Sequence, residues 1–172
     1  NILLDEFLLP KITDFGYSKI LSENSICFSI GYHSFQEGCF APEIISSGQV
    51  SKASDVYDFS LVIYEILTGE KPYFNDHQKP HIITEKIPLS YRNLIQKCLS
   101  HEQEKRPIFD EIVNLLINDQ AFITDKVDKE LFGNYLEYIN EYPISFIKEQ
   151  NYMPKKQIFL EPRIKKIKIV FP

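Results

Sequence analysis

The stretch 55–68 constrains the fold more than any other part of this chain. Val56, Phe59, Leu61, Val62, Ile63, Tyr64, Ile66 and Leu67 place apolar side chains nearly all round a helix. A helix that is apolar on every side must be buried among neighbours. Asp55 lies near its start, where a carboxylate suits the free N–H groups and the helix dipole. Gly69 follows the last apolar turn and suits the left-handed residue that ends a helix. The chain therefore needs other elements to cover this helix. The spacing of Leu89, Leu94, Ile95, Cys98 and Leu99 predicts an amphipathic helix over 89–100. Ile108, Ile112, Val113, Leu115, Leu116 and Ile117 predict another over 108–117.

Short motifs stand on either side of the central helix. Asp14-Phe15-Gly16 comes first, after a short apolar run Leu9–Thr13 that reads as a strand. Ala41-Pro42-Glu43 follows, then Ser54-Asp55-Val56-Tyr57-Asp58-Phe59-Ser60 and Leu67-Thr68-Gly69-Glu70-Lys71-Pro72-Tyr73-Phe74. Cys98-Leu99 and Lys105-Arg106-Pro107-Ile108-Phe109 close the series. A lone Asp-Phe-Gly is weak and is read most simply as a turn with a buried Phe. Five motifs in order are specific. Over residues 1 to about 117 the chain resembles the large lobe of a eukaryotic protein kinase, from the last residue of the catalytic loop onward. The region around Cys98 and Arg106-Pro107-Ile108-Phe109 looks most like the tyrosine-kinase-like group of Ser/Thr kinases.

That resemblance implies a mainly α fold, α+β as part of a whole kinase domain. A helical lobe is expected to carry a short β-hairpin at its active-site end, with the small N-terminal lobe absent. Asn1 matches the final Asn of the catalytic-loop pattern H-R-D-x-x-x-x-N, and Asp14 the Asp of D-F-G. The resemblance makes Asn1 and Asp14 ligands of Mg²⁺, a hard cation that takes oxygen donors. Leu3, Asp14, Phe15 and Gly16 become the ATP-binding set, with Leu3 and Leu4 under the adenine, Phe15 packed inward and Gly16 giving the backbone freedom to turn. Glu43 and Arg106 are expected to form a buried ion pair, since the planar Arg fork suits a carboxylate. Asp55 is expected to accept hydrogen bonds from the catalytic-loop backbone, or to be a plain helix cap. The H-R-D Asp, the strand Lys and the Gly-rich loop do not occur in these residues, so no catalytic residue is assigned. Asn1 is not a Met, and the chain is expected to be a fragment that works with a missing N-terminal lobe.

The implied function is ATP- and Mg²⁺-dependent phosphorylation of protein Ser or Thr, with Tyr open, in signal transduction. The alternative is a pseudokinase or protein-interaction module without catalysis. Gln36 leans that way, because it stands where the family places a Thr that hydrogen-bonds the catalytic groups. The intact Asp14 leans the other way. Between Gly16 and Ala41 lies the activation segment, with Ser22, Ser25, Ser29 and Tyr32 as candidate phosphosites. A phosphate there acts by pairing with Arg.

Composition adds exclusions. Hydrophobic residues make up 44% and charged residues 25%, ordinary for a globular domain. A net charge of −5 disfavours nucleic acid as a partner. Cys27, Cys39 and Cys98 show neither paired nor metal-type spacing, which suits free thiols in a reducing cytoplasm. No apolar run reaches the roughly 20 residues of a membrane helix. Residues 118–127 read as a linker into a C-terminal extension, 118–172, with a helix over 128–141 that Pro143 ends. The tail from Pro154 carries five net positive charges, which leaves −10 on the rest. Mixed with Ile164, Ile167, Ile169, Val170 and Phe171, these charges read as a solvated edge or an extension docked on the domain, ahead of a site for anionic lipid or nucleic acid. In the resemblance a helix upstream of Asn1 covers the central helix, so an apolar patch is expected near Val62, Ile66, Ile2 and Leu4.

Overall fold

The computed structural model describes residues 1–5, 10–16, 18, 27–29, 40–75, 79–82, 85, 87–125 and 127–141. Helices dominate, accompanied by three two-stranded antiparallel pairs. The strands are β1 (Ile2–Leu4), β2 (Pro10–Ile12), β3 (Cys27–Ser29), β4 (Gln49–Ser51), β5 (Tyr73–Phe74) and β6 (Pro80–His81). The helices are α1 (Pro42–Ser47), α2 (Lys52–Thr68), α3 (Leu89–Cys98), α4 (Phe109–Asn118) and α5 (Lys129–Glu141). Two compact units are distinguished: the described parts of Asn1–Ile20 and of Gly133–Pro172 together, and the described part of Leu21–Phe132. A mainly α fold with a short hairpin at its start agrees with the sequence.

In the larger unit, α2 is the axis. It begins three residues before Asp55, because Ser51 is the true cap. Ser51 is extended at φ −140° and its Oγ accepts from the Ser54 N–H at 3.4 Å. Ser54 Oγ accepts in return from the Ser51 N–H at 3.1 Å. This reciprocal pair satisfies two donors that a helix start leaves free. Asp55 sits in the first turn, so it favours the dipole without being the cap. At the other end Gly69 takes φ 73°, and its N–H reaches Glu65 O at 2.8 Å. Glycine fits because an L side chain in that region is strained.

The all-round apolar character of α2 has a direct structural meaning. Its residues enter two separate clusters. Val56, Ile63 and Tyr64 join Ile87, Leu94, Ile95, Cys98, Ile112 and Phe122. Tyr57 and Leu61 join Ala41 and Ile44 of the α1 region. Leu99 packs against both. Ile66 breaks the pattern and is 71% exposed, while Val62 is half-buried.

Residues 118–127 are more than a linker. A single 3-10 turn, Gln120–Phe122, buries Phe122 in the larger cluster. The Phe122 ring meets Tyr91 edge-on at 4.9 Å, and the Tyr91 hydroxyl donates to Phe122 O at 2.9 Å. Ser90 Oγ donates to Ala121 O at 2.6 Å. These bonds hold the turn on α3. At the start of α5, Asp128 Oδ1 accepts from the N–H groups of Glu130 and Leu131. The basic tail lies outside the described residues.

In the smaller unit, β1 and β2 pair with Ile2 opposite Ile12, Leu3 opposite Lys11 and Leu4 opposite Pro10. Pro10 starts its strand, a position where its missing N–H costs little. Each strand is three residues long. Leu3, Leu4 and Ile12 are 60%, 51% and 70% exposed, and Ile2 is half-buried. Strands this short cannot bury a face without a further layer.

Ile95 is fully buried and Ile66 is not, which gives a clean comparison within the larger unit. Ile95→Ala should destabilise the fold by about 2–5 kcal/mol, the range for emptying a packed site. Ile66→Ala should stay within about 0.5 kcal/mol. Urea denaturation followed by far-ultraviolet circular dichroism measures both.

Candidate functional site

The candidate chemistry begins at the open end of the β1–β2 hairpin. Register places Ile12 beside Ile2, and the Thr13 N–H continues the ladder to Asn1 O at 2.8 Å. Asn1 and Asp14 are thereby brought to the same end of the hairpin. Both are exposed. Asp14 takes φ 60°, the one non-glycine residue with positive φ among the described residues. Asp visits that region more readily than most residues, because its short carboxylate can bond locally. Here Oδ1 accepts weakly from the Gly16 N–H at 3.4 Å. A Cβ on Gly16 would stand 3.3 Å from the same oxygen. Glycine at 16 therefore leaves the carboxylate room.

Phe15 is 65% exposed, which differs from the expected inward packing. The hairpin is too short to supply a core of its own. Leu3 also points an exposed apolar side chain from β1. Among the described residues no three His, Cys, Asp or Glu side chains gather as a metal cage. The oxygen donors at the hairpin end are the Asp14 carboxylate and the Asn1 amide. That set fits Mg²⁺ of the kind shared with phosphate, which needs one or two protein donors and completes its shell from substrate and water.

Glu43 and Arg106 meet in the larger unit and are 8% and 6% exposed. Arg106 Nη1 donates to Glu43 Oε1 at 2.7 Å and Nη2 to Oε2 at 2.8 Å. The fork is two-pronged, the arrangement that a guanidinium makes and an ammonium cannot. Arg106 Nε also reaches Ser100 O at 2.8 Å, and Nη1 reaches Ala53 O at 2.8 Å. The guanidinium carbon lies 5.1 Å from the centre of the Tyr57 ring. Ser54 Oγ donates to Glu43 Oε1 at 2.7 Å. Burial pushes the Glu43 carboxyl up, but the hydrogen bonds from Arg106 and Ser54 and the Arg106 charge outweigh it. The net effect holds Glu43 below its ordinary value.

Asp55 is exposed on α2. Ser29 is exposed on β3, opposite Gln49 of β4. Ser22, Ser25, Tyr32 and Gln36 lie outside the described residues. Burial pushes the Cys98 thiol up to about 11, with the Arg106 charge opposing, so Cys98 is a neutral core residue. Sequence reasoning missed Ser54, which couples the α2 cap to the ion pair; the Ser51-x-x-Ser54 spacing was the available signal. It also passed over Asp58, a carboxylate inside the apolar stretch. Asp58 Oδ1 is shut off from solvent and has no hydrogen-bond partner.

The sequence model of the family described as "Protein tyrosine and serine/threonine kinase" matches residues 1–116. The chain belongs to the protein kinase family. Among its relatives is the dual specificity protein kinase shkD of Dictyostelium discoideum, 32% identical over 133 residues, which cover 66% of this chain and 16% of that protein. The dual specificity protein kinase pyk3 of the same organism is 32% identical over 162 residues, 82% of this chain and 12% of that protein. A third, dual specificity protein kinase shkE, is 29% identical over 157 residues, 78% of this chain and 21% of that protein. The chain thus spans between 12% and 21% of the length of these relatives. Among the described residues no helix is long and apolar enough to cross a membrane.

Removing Arg106 leaves the Glu43 carboxylate buried without its partner. Arg106→Ala should destabilise the larger unit by about 3–5 kcal/mol, and Arg106→Lys should restore only part of it. Denaturant midpoints of the two variants against the unaltered chain measure the difference.

Proposed function

We propose that this chain is the large-lobe part of a protein kinase domain that transfers the γ-phosphoryl group of ATP to protein hydroxyls with Mg²⁺. The observation that carries this reading is the hairpin end that holds Asn1 and Asp14 together, in a chain of the kinase family. Bound Mg²⁺ would neutralise charge developing on the phosphate oxygens. Asp14 and Asn1 would hold that ion and so orient the phosphates. Asp14 would do so with a carboxylate that its left-handed backbone turns outward and Gly16 leaves uncrowded. The ion pair of Glu43 and Arg106 would act only as a support, fixing α1 and the start of α2 at the end of the activation segment. The naming of several relatives as dual specificity kinases supports Ser, Thr and Tyr hydroxyls together as the acceptor class. A protein substrate and a cytoplasmic setting follow from the same reading. The 172 residues hold no H-R-D triplet and no Gly-rich phosphate loop, so the general base and the phosphate cover must come from other residues.

The chain alone, with labelled ATP, Mg²⁺ and generic protein substrates, should transfer nothing above background. Joined as one polypeptide to an upstream kinase segment with the Gly-rich loop, the strand Lys and H-R-D, it should gain transfer. Asp14→Asn should remove that gain by 100-fold or more, on the order of a lost electrostatic contact at the reacting phosphate. Turnover by the chain alone that Asp14→Asn abolishes would sink the partial-domain reading. A folded joined protein without turnover would favour the interaction-module reading suggested by Gln36.

A further inference from the structure

Asp58 is half-buried on α2, one turn beyond Ser54. Its Oδ1 is closed off from water and receives no hydrogen bond. The nearest cation cannot serve it. Arg106 commits Nε to Ser100 O, Nη1 to both Glu43 Oε1 and Ala53 O, and Nη2 to Glu43 Oε2. A guanidinium has five N–H groups, so this one is nearly spent. The charged groups that act on Asp58 are Asp55 on α2, Glu43 on α1 and Arg106 before α4. Two of the three are acidic. Cys98 on α3, which also senses Arg106, stays neutral.

An ionised carboxylate with one oxygen shut off from both water and donors is costly, because the charge on that oxygen is uncompensated. A protonated carboxyl is not. We propose that Asp58 is a proton-binding site built into α2, so that the junction of α1, α2 and Arg106 tightens when Asp58 is protonated and loosens when it ionises. Desolvation first, then the negative charges of Asp55 and Glu43, raise the Asp58 carboxyl to about 7, with Arg106 opposing. The direction follows from linkage. With a folded value of about 7 above an ordinary 3.8, the folded chain holds a proton that the unfolded chain has released. The Asp58 contribution to stability is therefore complete below the ordinary value, declines as pH rises, and is gone once pH passes the folded value. Glu43 works in the opposite sense. Its value is lowered, so its contribution is present above the ordinary carboxylate value and is lost only as pH falls below that. Between about pH 5 and 8 the Asp58 contribution declines while that of Glu43 stays in place, and Asp55, also raised by burial, acts in the same sense as Asp58.

The test is urea denaturation of the full 172-residue chain at intervals from pH 5 to 8.5, unaltered and as Asp58→Asn and Asp55→Asn. One proton changes the folding equilibrium by up to tenfold per pH unit, so the unaltered chain should lose up to about 100-fold between pH 5 and 7 and then level off. Asn has the size of the protonated carboxyl and no charge. Asp58→Asn should remove this slope and match or exceed the unaltered chain at pH 8. Asp55→Asn keeps Asp58 and removes its nearest acidic neighbour, so the levelling point should move to lower pH. A merely structural role for Asp58 would shift stability equally at every pH. An Asp58→Asn chain that keeps the slope, is weaker at pH 8, or fails to fold would overturn the proposal, as would an unmoved levelling point in Asp55→Asn.

Discussion

The bond between Glu43 and Arg106 is the constraint on which the larger unit depends. It spans 63 residues of sequence and closes with both partners buried. A buried ion pair is weak support unless every remaining donor and acceptor is satisfied. Here the satisfaction is nearly complete. The guanidinium also takes the carbonyls of Ser100 and Ala53, and Glu43 also accepts from Ser54. One side chain therefore ties together the end of α3, the first turn of α2 and the start of α1. The Tyr57 ring under the guanidinium connects this polar knot to the smaller apolar cluster. Lysine would supply the charge without the planar fork, and the carbonyls would lose their donor.

The polar knot extends into the helix cap. Ser54 has two tasks, closing the reciprocal cap with Ser51 and donating to Glu43. Ser51 in turn donates to Gln103 Oε1 at 2.9 Å, in the turn just before Arg106. The start of α2 and the position of Arg106 are thus set by one network. Such networks are worth more than their separate bonds when fully satisfied, and they are the first place to fail when they are not. Asp58 is the exception that this packing leaves. It lies two turns inside the cap, and its Oδ1 finds no donor while Arg106 spends its N–H groups on Glu43 and two carbonyls.

The sequence was most legible where one physical rule acted alone. The apolar ring over 55–68 called for burial, and α2 lies between two clusters. Gly69 marked the end of α2 because its local chemistry needs no distant partner. Rules that depend on tertiary placement were harder to read. Asp55 looked like the start of α2, but the reciprocal hydroxyls of Ser51 and Ser54 begin the helix earlier. Phe122 was taken into a linker because the short apolar group Ala121-Phe122-Ile123 between polar residues shows no period. Its burial depends on a hydrogen bond from Tyr91, 31 residues away. Glu43 and Arg106 were paired only through the family resemblance, since nothing local to either residue names the other.

The hairpin end follows different rules from the core. Most of its residues are exposed, its strands are short, and its backbone carries the left-handed Asp14. Strain of this kind persists only where something holds it or where the side chain compensates it locally. At Asp14 the compensation is slight, a single hydrogen bond of 3.4 Å to Gly16. A stronger local bond would settle the turn and occupy the carboxylate. The weak one leaves most of the lone pairs of Asp14 open to a hard cation. In the proposed reading the energy that fixes this turn comes from the bound ion and phosphates, not from the hairpin. The family's motifs in this chain then divide by physical role. Those in the α2 core build a rigid frame from their own contacts, and Asp14-Phe15-Gly16 is left adaptable until its ligand completes it.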